Sequence, residues 1–288
     1  MGNPAEDYSQ YDIRPDILSR DDLMRLIRPL QGHPGLTDRL MRLLWLDRCN
    51  RHHAAVCDTP GPDVARRLLG EQWHINVEVE GRDVLDHLPE GAFITVSNHP
   101  FGAIDGIILI DLIGSRRPRF KVMVNMILNH ISSMRPNFIA VDPSASDDPA
   151  KRAVSVAGIR AVLRQLRDGE PVGFFPAGSM SKTTLRHGLQ DRPWQESVLS
   201  IIFKARVPVI PVFFHGRNSR LCNVMGHVCW PLRSLMIPSE MLKKSGKTVR
   251  VSVGHPISPE TQRQFDTPQA LGAYLREKTY ELKTRNAK

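Results

Sequence analysis

The sequence lacks an apolar run long enough to cross a lipid bilayer. The longest candidate, residues 198–214, is interrupted by Lys204, Arg206 and two prolines, whereas a membrane-spanning helix needs roughly 18–20 apolar residues in succession. The first residues, Met-Gly-Asn-Pro-Ala-Glu-Asp, are polar and acidic, which is not the pattern of a secretory signal peptide. We therefore expect a cytoplasmic protein that meets a membrane only at its surface.

Cysteine is scarce, with four among 288 residues. This number and chain length do not suggest a disulfide framework, so we expect reduced thiols. Cys49, His52, His53 and Cys57 fall on nearly one helical face, and these are metal-ligand types. The two cysteines are eight residues apart, about 12 Å along a helix, so both could not bind the same ion. We therefore predict no metal site.

Acidic residues are too few to balance the basic ones. The chain has 30 Asp and Glu against 39 Lys and Arg, which gives a net charge of +9. Such an excess suits nucleic acid, an anionic membrane surface or an acidic carrier protein. The sequence has neither an aromatic–basic RNA motif nor zinc-finger spacing, so we expect no nucleic-acid partner. The membrane surface and the carrier protein remain.

The Gly-x-Ser-x-Gly turn of a serine hydrolase is also missing, and residues 94–106 hold a different arrangement. Their apolar start is typical of a buried strand, which Pro100 and Gly102 bring to an end. Apolar residues then resume at helical spacing. His99 is thus expected at the carboxyl end of a strand and Asp105 in the first turn of the next helix. Open α/β sheets bind their ligands at this edge.

A histidine beside a carboxylate is the minimum apparatus of a general base. The imidazole of His99 would accept a proton near neutral pH, and the Asp105 carboxylate would fix its tautomer and stabilise the imidazolium. In the alternative interpretation, His99 caps a turn and Asp105 caps the helix. The spacing alone leaves both interpretations open.

Polar residues follow two further predicted strands. The strand at residues 171–175 leads into a serine- and glycine-rich loop, whose N–H and hydroxyl groups suit an oxygen-rich headgroup, although ordinary turn chemistry would use the same residues. The candidates in this loop are Gly178, Ser179, Ser181 and Lys182, with Arg186 as a second source of positive charge. Arg217 and Asn218 follow the strand at residues 207–214 and are candidates for lining the same pocket.

Strands alternate with helices along most of the chain, which predicts an α/β fold with a mixed central sheet flanked by helices. Residues 249–253 alternate as an outer strand. Ahead of the sheet, Ser19 and Thr37 each open an apolar helical stretch, which predicts an N-terminal helical pair. We divide the chain into an N-terminal helical extension, residues 1–72, and an α/β domain, residues 73–288.

Four sequence blocks, in this order, resemble those of the glycerolipid acyltransferases, the lysophosphatidate acyltransferase-like superfamily. The blocks are Asn98-His99-(five residues)-Asp105 and residues 137–142, 175–181 and 207–212. The resemblance covers roughly residues 74–255, and four blocks in order make it specific. The forms His-Pro-Phe-Gly-x-x-Asp-Gly and Phe-Phe-Pro-Ala-Gly look more like the hemolysin-like branch, which includes acyltransferases that complete ornithine and glycine lipids.

The resemblance implies an acyltransferase-type fold and an acyl transfer that needs no cofactor and no metal. His99 would remove a proton from the acceptor hydroxyl, and Asp105 would orient His99. The donor would be acyl-carrier protein or acyl-CoA, and the acceptor a lysolipid at an anionic membrane surface, on the inner face of the cell membrane. The block residues expected to bind substrate are Asn98, Gly102, Phe175, Pro176, Ala177, Gly178, Ser179 and Ser181.

Three departures from the family pattern bear on this reading. Five residues separate His99 from Asp105 where the family usually has four, and Gly102 lets the turn absorb the difference. Ala177 replaces the family's Glu, and Met180 replaces the Arg that helps hold the acceptor's phosphate. We therefore predict an amino-acid-containing lysolipid as acceptor, with lysophosphatidate as the alternative. A competing function is non-catalytic, peripheral lipid binding on the same fold.

Overall fold

The computed structural model describes residues 7–142, 149–184, 188–228 and 230–283. The helices are α1 (Arg20–Leu26), α2 (Pro34–Leu43), α3 (Leu46–Ala54), α4 (Pro62–Arg67), α5 (Arg82–Asp86), α6 (Ala103–Leu109), α7 (Pro149–Arg167), α8 (Glu196–Ala205), α9 (Arg220–Val228), α10 (Trp230–Leu235), α11 (Ile237–Leu242), α12 (Pro259–Gln262) and α13 (Pro268–Glu281). The strands are β1 (Asn76–Glu80), β2 (Ile94–Ser97), β3 (Lys121–Asn125), β4 (Phe138–Val141), β5 (Val172–Phe174), β6 (Lys182–Thr184), β7 (Gly188–Gln190), β8 (Val209–His215) and β9 (Thr248–Val253).

Seven of the described strands form one sheet in the order β1-β9-β8-β2-β5-β3-β4. Neighbours run parallel throughout, apart from the antiparallel pair β8–β9. Strands β6 and β7 pair separately as an antiparallel hairpin. The predicted α/β fold with a mixed central sheet and flanking helices is confirmed. The edge at which β2, β5 and β8 end is called the active-site edge below.

Helices cover both faces of the sheet, which is why the central strands β2, β5 and β8 are buried along nearly their whole length. Strand β2 is buried at every residue. On one face Ile94 and Val96 pack in a cluster with residues of α7, α8 and α13. On the other face Val212 and Phe214 belong to a cluster that includes residues of α4 and α6. Each such buried aliphatic or aromatic side chain stabilises the fold by about 1.5–3 kcal/mol.

The described part of the N-terminal segment holds α1 to α4, where the sequence predicted a helical pair followed by a short helix around Val64 and Leu68. Ser19 opens α1 with a capping box in which Asp22 closes back onto the Ser19 backbone, as expected. The prediction that Thr37 opens the next helix is wrong: His33 precedes α2, and the buried Thr37 lies inside it, donating from its hydroxyl to His33 O. Trp45, at φ 62°, then breaks the apolar stretch into α2 and α3.

This segment is not packed separately from the sheet. Val64 and Leu68 belong to the same apolar cluster as the residues of β8 and α6. Cys49 Sγ on α3 lies 3.9 Å from Pro238 O on α11. The division at residue 72 therefore stays a prediction.

The predicted outer position of the strand at residues 249–253 is wrong. Strand β9 lies inside the sheet, between β8 and β1, and β1 forms the edge. Register pairs such as Val79 with Val251 continue the sheet beyond β9. Exposed and buried residues alternate only over the first four residues of β9, and its last three residues are all buried.

None of the helices in the described ranges is both long and apolar enough to cross a membrane. The longest, α7, carries Arg160, Arg164 and Arg167 along its length.

Candidate active site

His99 lies in the turn that leaves β2 at the active-site edge. The strand ends at Ser97, and α6 begins at Ala103, after five intervening residues. Gly102 precedes the helix at φ 93°, a conformation that residues with a Cβ rarely adopt. This turn lets Asp105 occupy the third position of α6 in spite of the longer spacing from His99. Both residues therefore lie where the strand–turn–helix pattern predicted.

The structure brings the His99 and Asp105 side chains together. His99 Nδ1 lies 2.9 Å from Asp105 Oδ2, and Asp105 is fully buried whereas the His99 side chain is 19% exposed. The same carboxylate oxygen accepts the backbone N–H groups of Phe101 and Gly102, both at 3.0 Å. Burial raises the pKa of the Asp105 carboxyl, and the contacts with His99 and the two N–H groups oppose that rise. Asp105 is thus held in place by two backbone N–H groups, beside the partly exposed His99 ring.

Phe175 forms one wall for the imidazole. Its ring centroid lies 4.1 Å from that of His99, at an interplanar angle of 31°. Phe214, at the end of β8, lies behind it at 6.3 Å. The neighbouring ring limits rotation of His99, so the Nδ1 atom is kept towards Asp105 and Nε2 lies on the side of the imidazole away from this carboxylate.

The backbone of His99 is clamped by two residues from the β6–β7 hairpin. Asp191 Oδ1 accepts the His99 N–H at 3.2 Å, and Ser181 N–H donates to His99 O at 2.8 Å. Ser181 Oγ also donates to Asp191 Oδ1, at 2.6 Å. Burial raises the pKa of the Asp191 carboxyl, against the lowering effect of these hydrogen bonds. Ser181 and Asp191 are 1% and 6% exposed, so they support His99 rather than face the solvent.

Asn98 is also turned inward. Its carboxamide donates to Phe214 O at 3.0 Å and accepts the Phe214 N–H at 2.7 Å. The residue is 3% exposed. The structure therefore places Asn98 beside the site, with its hydrogen-bonding groups occupied by the protein.

The loop after β5 approaches His99 through Phe175 and then turns away. Pro176 O accepts the Gln195 N–H at 2.9 Å, and the Gly178 N–H donates to Phe175 O at 2.9 Å. Ala177 packs in the core at 5% exposure. Ser179 Oγ is buried and has no hydrogen-bond partner among the described residues, which leaves it available to a bound group.

Three cations gather where this loop enters β6. Arg233 on α10 is 1% exposed and donates to Met180 O at 3.2 Å and to Ser181 O at 2.6 Å. Lys182 follows Ser181, and its pairing with Gln190 brings Arg192 alongside. Partial burial, together with Arg192 and Arg233, lowers the pKa of Lys182. Like charges in one place favour an anionic ligand. The other predicted cation, Arg186, lies outside the described residues.

The two candidates after β8 differ in position. Asn218 is 3% exposed and donates to Phe101 O at 3.0 Å, while its Oδ1 atom has no partner among the described residues. Arg217 is exposed, and its carbonyl accepts from Lys244 Nζ at 2.9 Å. Asn218 therefore faces the active-site turn, and Arg217 lies on the surface near it.

The residues with metal-ligand chemistry in α3 and after it have separate partners. His53 contacts Pro15 O and Ser133 Oγ, each at 2.7 Å, and His52 contacts Gln72 Oε1 at 3.1 Å. Burial raises the pKa of the Cys49 thiol to about 12. No cluster of three potential metal ligands occurs within the described residues.

Sequence reasoning missed Asp191 and Arg233. Asp191 lies in Gln-Asp-Arg-Pro, which carries no recognisable motif. Arg233 lies on α10, in a stretch for which no helix was predicted. One signal was available: residues 197–239 contain no Asp or Glu, so a buried arginine there has no acidic partner within this stretch and needs other acceptors.

Two bacterial proteins described as lyso-glycine lipid O-acyltransferases are similar in sequence to this chain. The protein from Bacteroides thetaiotaomicron is 28% identical over 215 residues, which cover 72% of this chain and 75% of the relative. The protein from Phocaeicola vulgatus is 27% identical over 216 residues, covering 72% and 73%.

A solved structure shares the fold. The crystal structure of the 1-acyl-sn-glycerophosphate (LPA) acyltransferase PlsC from Thermotoga maritima matches with a TM-score of 0.52, over 92% of this chain and 94% of that one. The sequences are 17% identical, so the likeness concerns the fold alone.

The family model described as Acyltransferase matches residues 34–287, nearly the whole chain. The match includes the strand–turn–helix with His99 and Asp105 and the loop that follows β5. Together with the relatives and the shared fold, it confirms the resemblance on which the sequence analysis drew. The chain belongs to this acyltransferase family and is an acyltransferase.

Proposed function

We propose that this acyltransferase moves a fatty acyl group from a thioester to the hydroxyl of a lysolipid, with His99 and Asp105 as its general-base pair. The observation that carries the proposal is the 2.9 Å contact between His99 Nδ1 and the fully buried Asp105 Oδ2. The contact leaves Nε2 as the ring nitrogen that meets the acceptor. The sequence relatives named as lysolipid O-acyltransferases support the reaction class.

The step is a nucleophilic acyl transfer. The acceptor O–H gives its proton to His99 Nε2 as its oxygen attacks the thioester carbonyl carbon, and Asp105 stabilises the imidazolium that forms. The tetrahedral intermediate then breaks its C–S bond, and the thiolate leaves with the proton from His99. General-base assistance of this kind contributes about 10²–10⁴-fold to the rate. No metal or cofactor takes part in the proposed step.

The proposed donor is acyl-carrier protein or acyl-CoA. Both carry a fatty acid as a thioester on an acidic molecule, which suits a chain with net charge +9. The acceptor is held in a bilayer, so we place the enzyme on the inner face of the cell membrane, bound peripherally. The fold of residues 73–288 would hold the whole reaction site, with residues 1–72 as an extension.

The proposed acceptor is a lysolipid with an amino-acid headgroup, and its carboxylate would meet the cations near Ser181. Lys182 and Arg192 are open to solvent in part or in full, and Arg233 lies beneath them with its Nε atom unpartnered among the described residues. Met180 at the same loop is buried at 6% exposure and adds no charge. A carboxylate needs fewer donors than a phosphate, which agrees with a site built from these three.

The other residues assigned to substrate remain part of the proposal. The turn and loop residues Gly102, Phe175, Pro176, Ala177, Gly178 and Ser179 would shape the acyl and headgroup paths beside His99. Asn218 would offer its Oδ1 atom, which has no partner among the described residues, and Arg217 would act from the surface. Asn98 and Ser181 would act indirectly, because their polar groups bond to Phe214, Asp191 and His99.

The test is an activity assay with defined substrates and matched variants. The full chain is incubated with acyl-carrier protein or CoA thioesters and with lyso-glycine lipid, lyso-ornithine lipid or lysophosphatidate, and thiol release and product mass are followed. We expect turnover with an amino-acid lysolipid and a loss of at least about 10²-fold in His99→Ala. His87→Ala is the matched control, because His87 is exposed after α5, at the opposite edge of the sheet.

Each outcome separates the candidates. Preference for lysophosphatidate would overturn the proposed acceptor and leave the reaction class standing. Lysolipid binding without thioester consumption would favour the non-catalytic lipid-binding function. Full turnover in His99→Ala would remove this histidine from the mechanism.

A further inference from the structure

Helix α9 presents apolar side chains to solvent. Leu221 is 61% exposed and Val224 is 57% exposed. The two are three residues apart and so share a helix face, and Arg220 joins Val224 at a spacing of four. The opposite face is closed, since Cys222 is fully buried and Gly226 lies against the Arg233 side chain. A surface helix normally turns polar residues outward, whereas α9 turns Leu221 and Val224 outward beside Arg220.

This helix begins next to the active-site turn. Asn218, just before α9, donates to Phe101 O at 3.0 Å, two residues from His99. Asn223, inside α9, donates to Asn218 O at 3.0 Å. These two hydrogen bonds in series therefore link the start of α9 to the turn that carries His99.

The surroundings of α9 are strongly basic. Residues 217–247 contain one acidic residue, Glu240. The basic residues of the same stretch are Arg217, Arg220, Arg233, Lys243, Lys244 and Lys247. Glu240 is 1% exposed and accepts from Ser219 N–H and Ser219 Oγ, both at 2.7 Å, and from Lys243 Nζ at 2.8 Å. Its charge is thus neutralised inside the protein.

The basic loop after α11 belongs to the same surface. Strand β9 runs antiparallel to β8, so its first residues lie at the active-site edge. Lys244 Nζ bonds to Arg217 O at 2.9 Å, which ties the loop to the segment before α9. Lys247 is exposed. The face therefore combines two aliphatic side chains with cations that have no acidic neighbour in residues 217–247 other than the neutralised Glu240.

We propose that the exposed face of α9, formed by Leu221, Val224 and Arg220 with Arg217 and Lys247 around it, docks on an anionic lipid bilayer. Aliphatic side chains in a ring of cations are what binds a helix to the interface of such a membrane. The inference rests on the proposed function, because a lysolipid acceptor is drawn from the bilayer. The bilayer is favoured over an acidic carrier protein because the apolar face adjoins the turn where that acceptor reacts.

The test is sedimentation of the full chain with lipid vesicles. We expect binding to phosphatidylcholine vesicles that contain phosphatidylglycerol and weak binding to phosphatidylcholine alone. Leu221→Asn with Val224→Asn should weaken binding to the anionic vesicles about tenfold. At low salt, Arg220→Gln with Lys247→Gln should weaken binding to the anionic vesicles about fivefold for each charge removed. At high salt, which screens surface charges, these substitutions should have no further effect on binding.

The chain offers matched controls. Val156→Asn with Leu163→Asn removes equally aliphatic side chains, each 40% exposed, from α7, and should leave binding unchanged. Leu36→Asn with Leu43→Asn tests the exposed leucines of α2, which are 52% and 74% exposed. Loss of binding in the α2 pair together with normal binding in the α9 pair would overturn the proposal.

The outcome does not depend on catalysis. Vesicle binding is measured without turnover, and His99→Ala should bind as the wild type does. The double variant in α9, Leu221→Asn with Val224→Asn, should keep wild-type turnover of a short-chain lysolipid dissolved as monomers. Wild-type vesicle binding by the α9 pair, combined with a raised KM for acyl-carrier protein, would assign the face to the carrier and overturn the membrane proposal.

Discussion

The carboxamide of Asn98 joins β2 to β8 by bonding both backbone groups of Phe214. The N–H of Phe214 donates to Asn98 Oδ1 at 2.7 Å, and Asn98 Nδ2 donates to Phe214 O at 3.0 Å. The strands themselves pair as far as Ser97 with Val212. A side chain thus continues the ladder past the end of β2, and His99 is the next residue along the chain.

Asn98→Ala should lower the stability of the protein more than its affinity for substrate. The change leaves two buried backbone groups of Phe214 unpaired, at a cost of about 1–3 kcal/mol each. We expect urea unfolding to show a loss of about 2–4 kcal/mol, together with a lower kcat and an unchanged KM. A normal unfolding midpoint with a raised KM would instead make Asn98 a direct substrate contact.

Asp105→Asn should reduce kcat about 10²–10⁴-fold with little change in KM for the lysolipid. The asparagine carbonyl can still accept the N–H groups of Phe101 and Gly102, so the turn is kept while the charge opposite His99 is lost. Steady-state kinetics on the folded variant give the measurement.

The double variant His99→Ala with Asp105→Asn provides the control for Asp105→Asn. Residues that act as one unit have effects that do not add, so the double variant should be no slower than His99→Ala alone. Multiplied losses would mean that the two residues act independently.

The geometry at Gly102 shows how far the sequence could predict this site. A strand that stops at His-Pro and a helix that starts soon after place His99 and Asp105 at one edge of a sheet by local rules alone. The fifth intervening residue is absorbed because Gly102 takes φ 93°, and a substituted Cβ there would meet Met180 Sδ at 3.0 Å. The local pattern was therefore sufficient to place both residues at this edge, but it left open whether their side chains would meet.

The contacts that hold the His99 backbone and its neighbouring loop in place could not be predicted from local sequence patterns. Asp191 bonds to a backbone 92 positions earlier in the chain, and Arg233 bonds to a loop more than 50 positions earlier. Neither contact follows from spacing or periodicity, since both depend on where the β6–β7 hairpin and α10 come to rest. The predicted position of β9 was wrong for the same reason, since its outer neighbour β1 comes from the other end of the domain.

Lys182→Ala should raise KM for a lysolipid with a free carboxylate about tenfold or more, with kcat nearly unchanged. A hydrogen bond to a charged group is worth about 1.5–3 kcal/mol, and Lys182 stands with Arg192 and Arg233 at the proposed headgroup position. Kinetics against the same lipid with its carboxylate converted to an amide supply the comparison, since that substrate should not distinguish the variant from the wild type.

Lys204→Ala is the matched control for the loss of one positive charge. Lys204 is exposed near the end of α8, next to the start of β8 and so at the edge of the sheet opposite the site. It should behave as the wild type with both lipids. If Lys182→Ala raised KM equally for the carboxylate lipid and for its amide, Lys182 would not bind the headgroup through its charge.

Asp191→Ala should slow the reaction by releasing the backbone of His99. Its Oδ1 atom accepts the His99 N–H and the Ser181 hydroxyl, and a hydrogen bond of this kind is worth about 0.5–1.5 kcal/mol. We expect kcat to fall about five- to tenfold for each bond lost, with KM for both substrates unchanged, because the residue acts through His99 and touches neither substrate.

Asp191→Asn tests whether Asp191 acts through its hydrogen bonds to the His99 backbone and Ser181 or through its negative charge. The amide oxygen can accept both hydrogen bonds, so this variant should recover most of the kcat that Asp191→Ala loses. Ser181→Ala, which keeps its N–H bond to His99 O, should show a smaller loss than Asp191→Ala. Equal losses in the Asn and Ala variants would mean that the Asp191 charge matters to the His99 imidazolium and that its hydrogen bonds do not position the backbone.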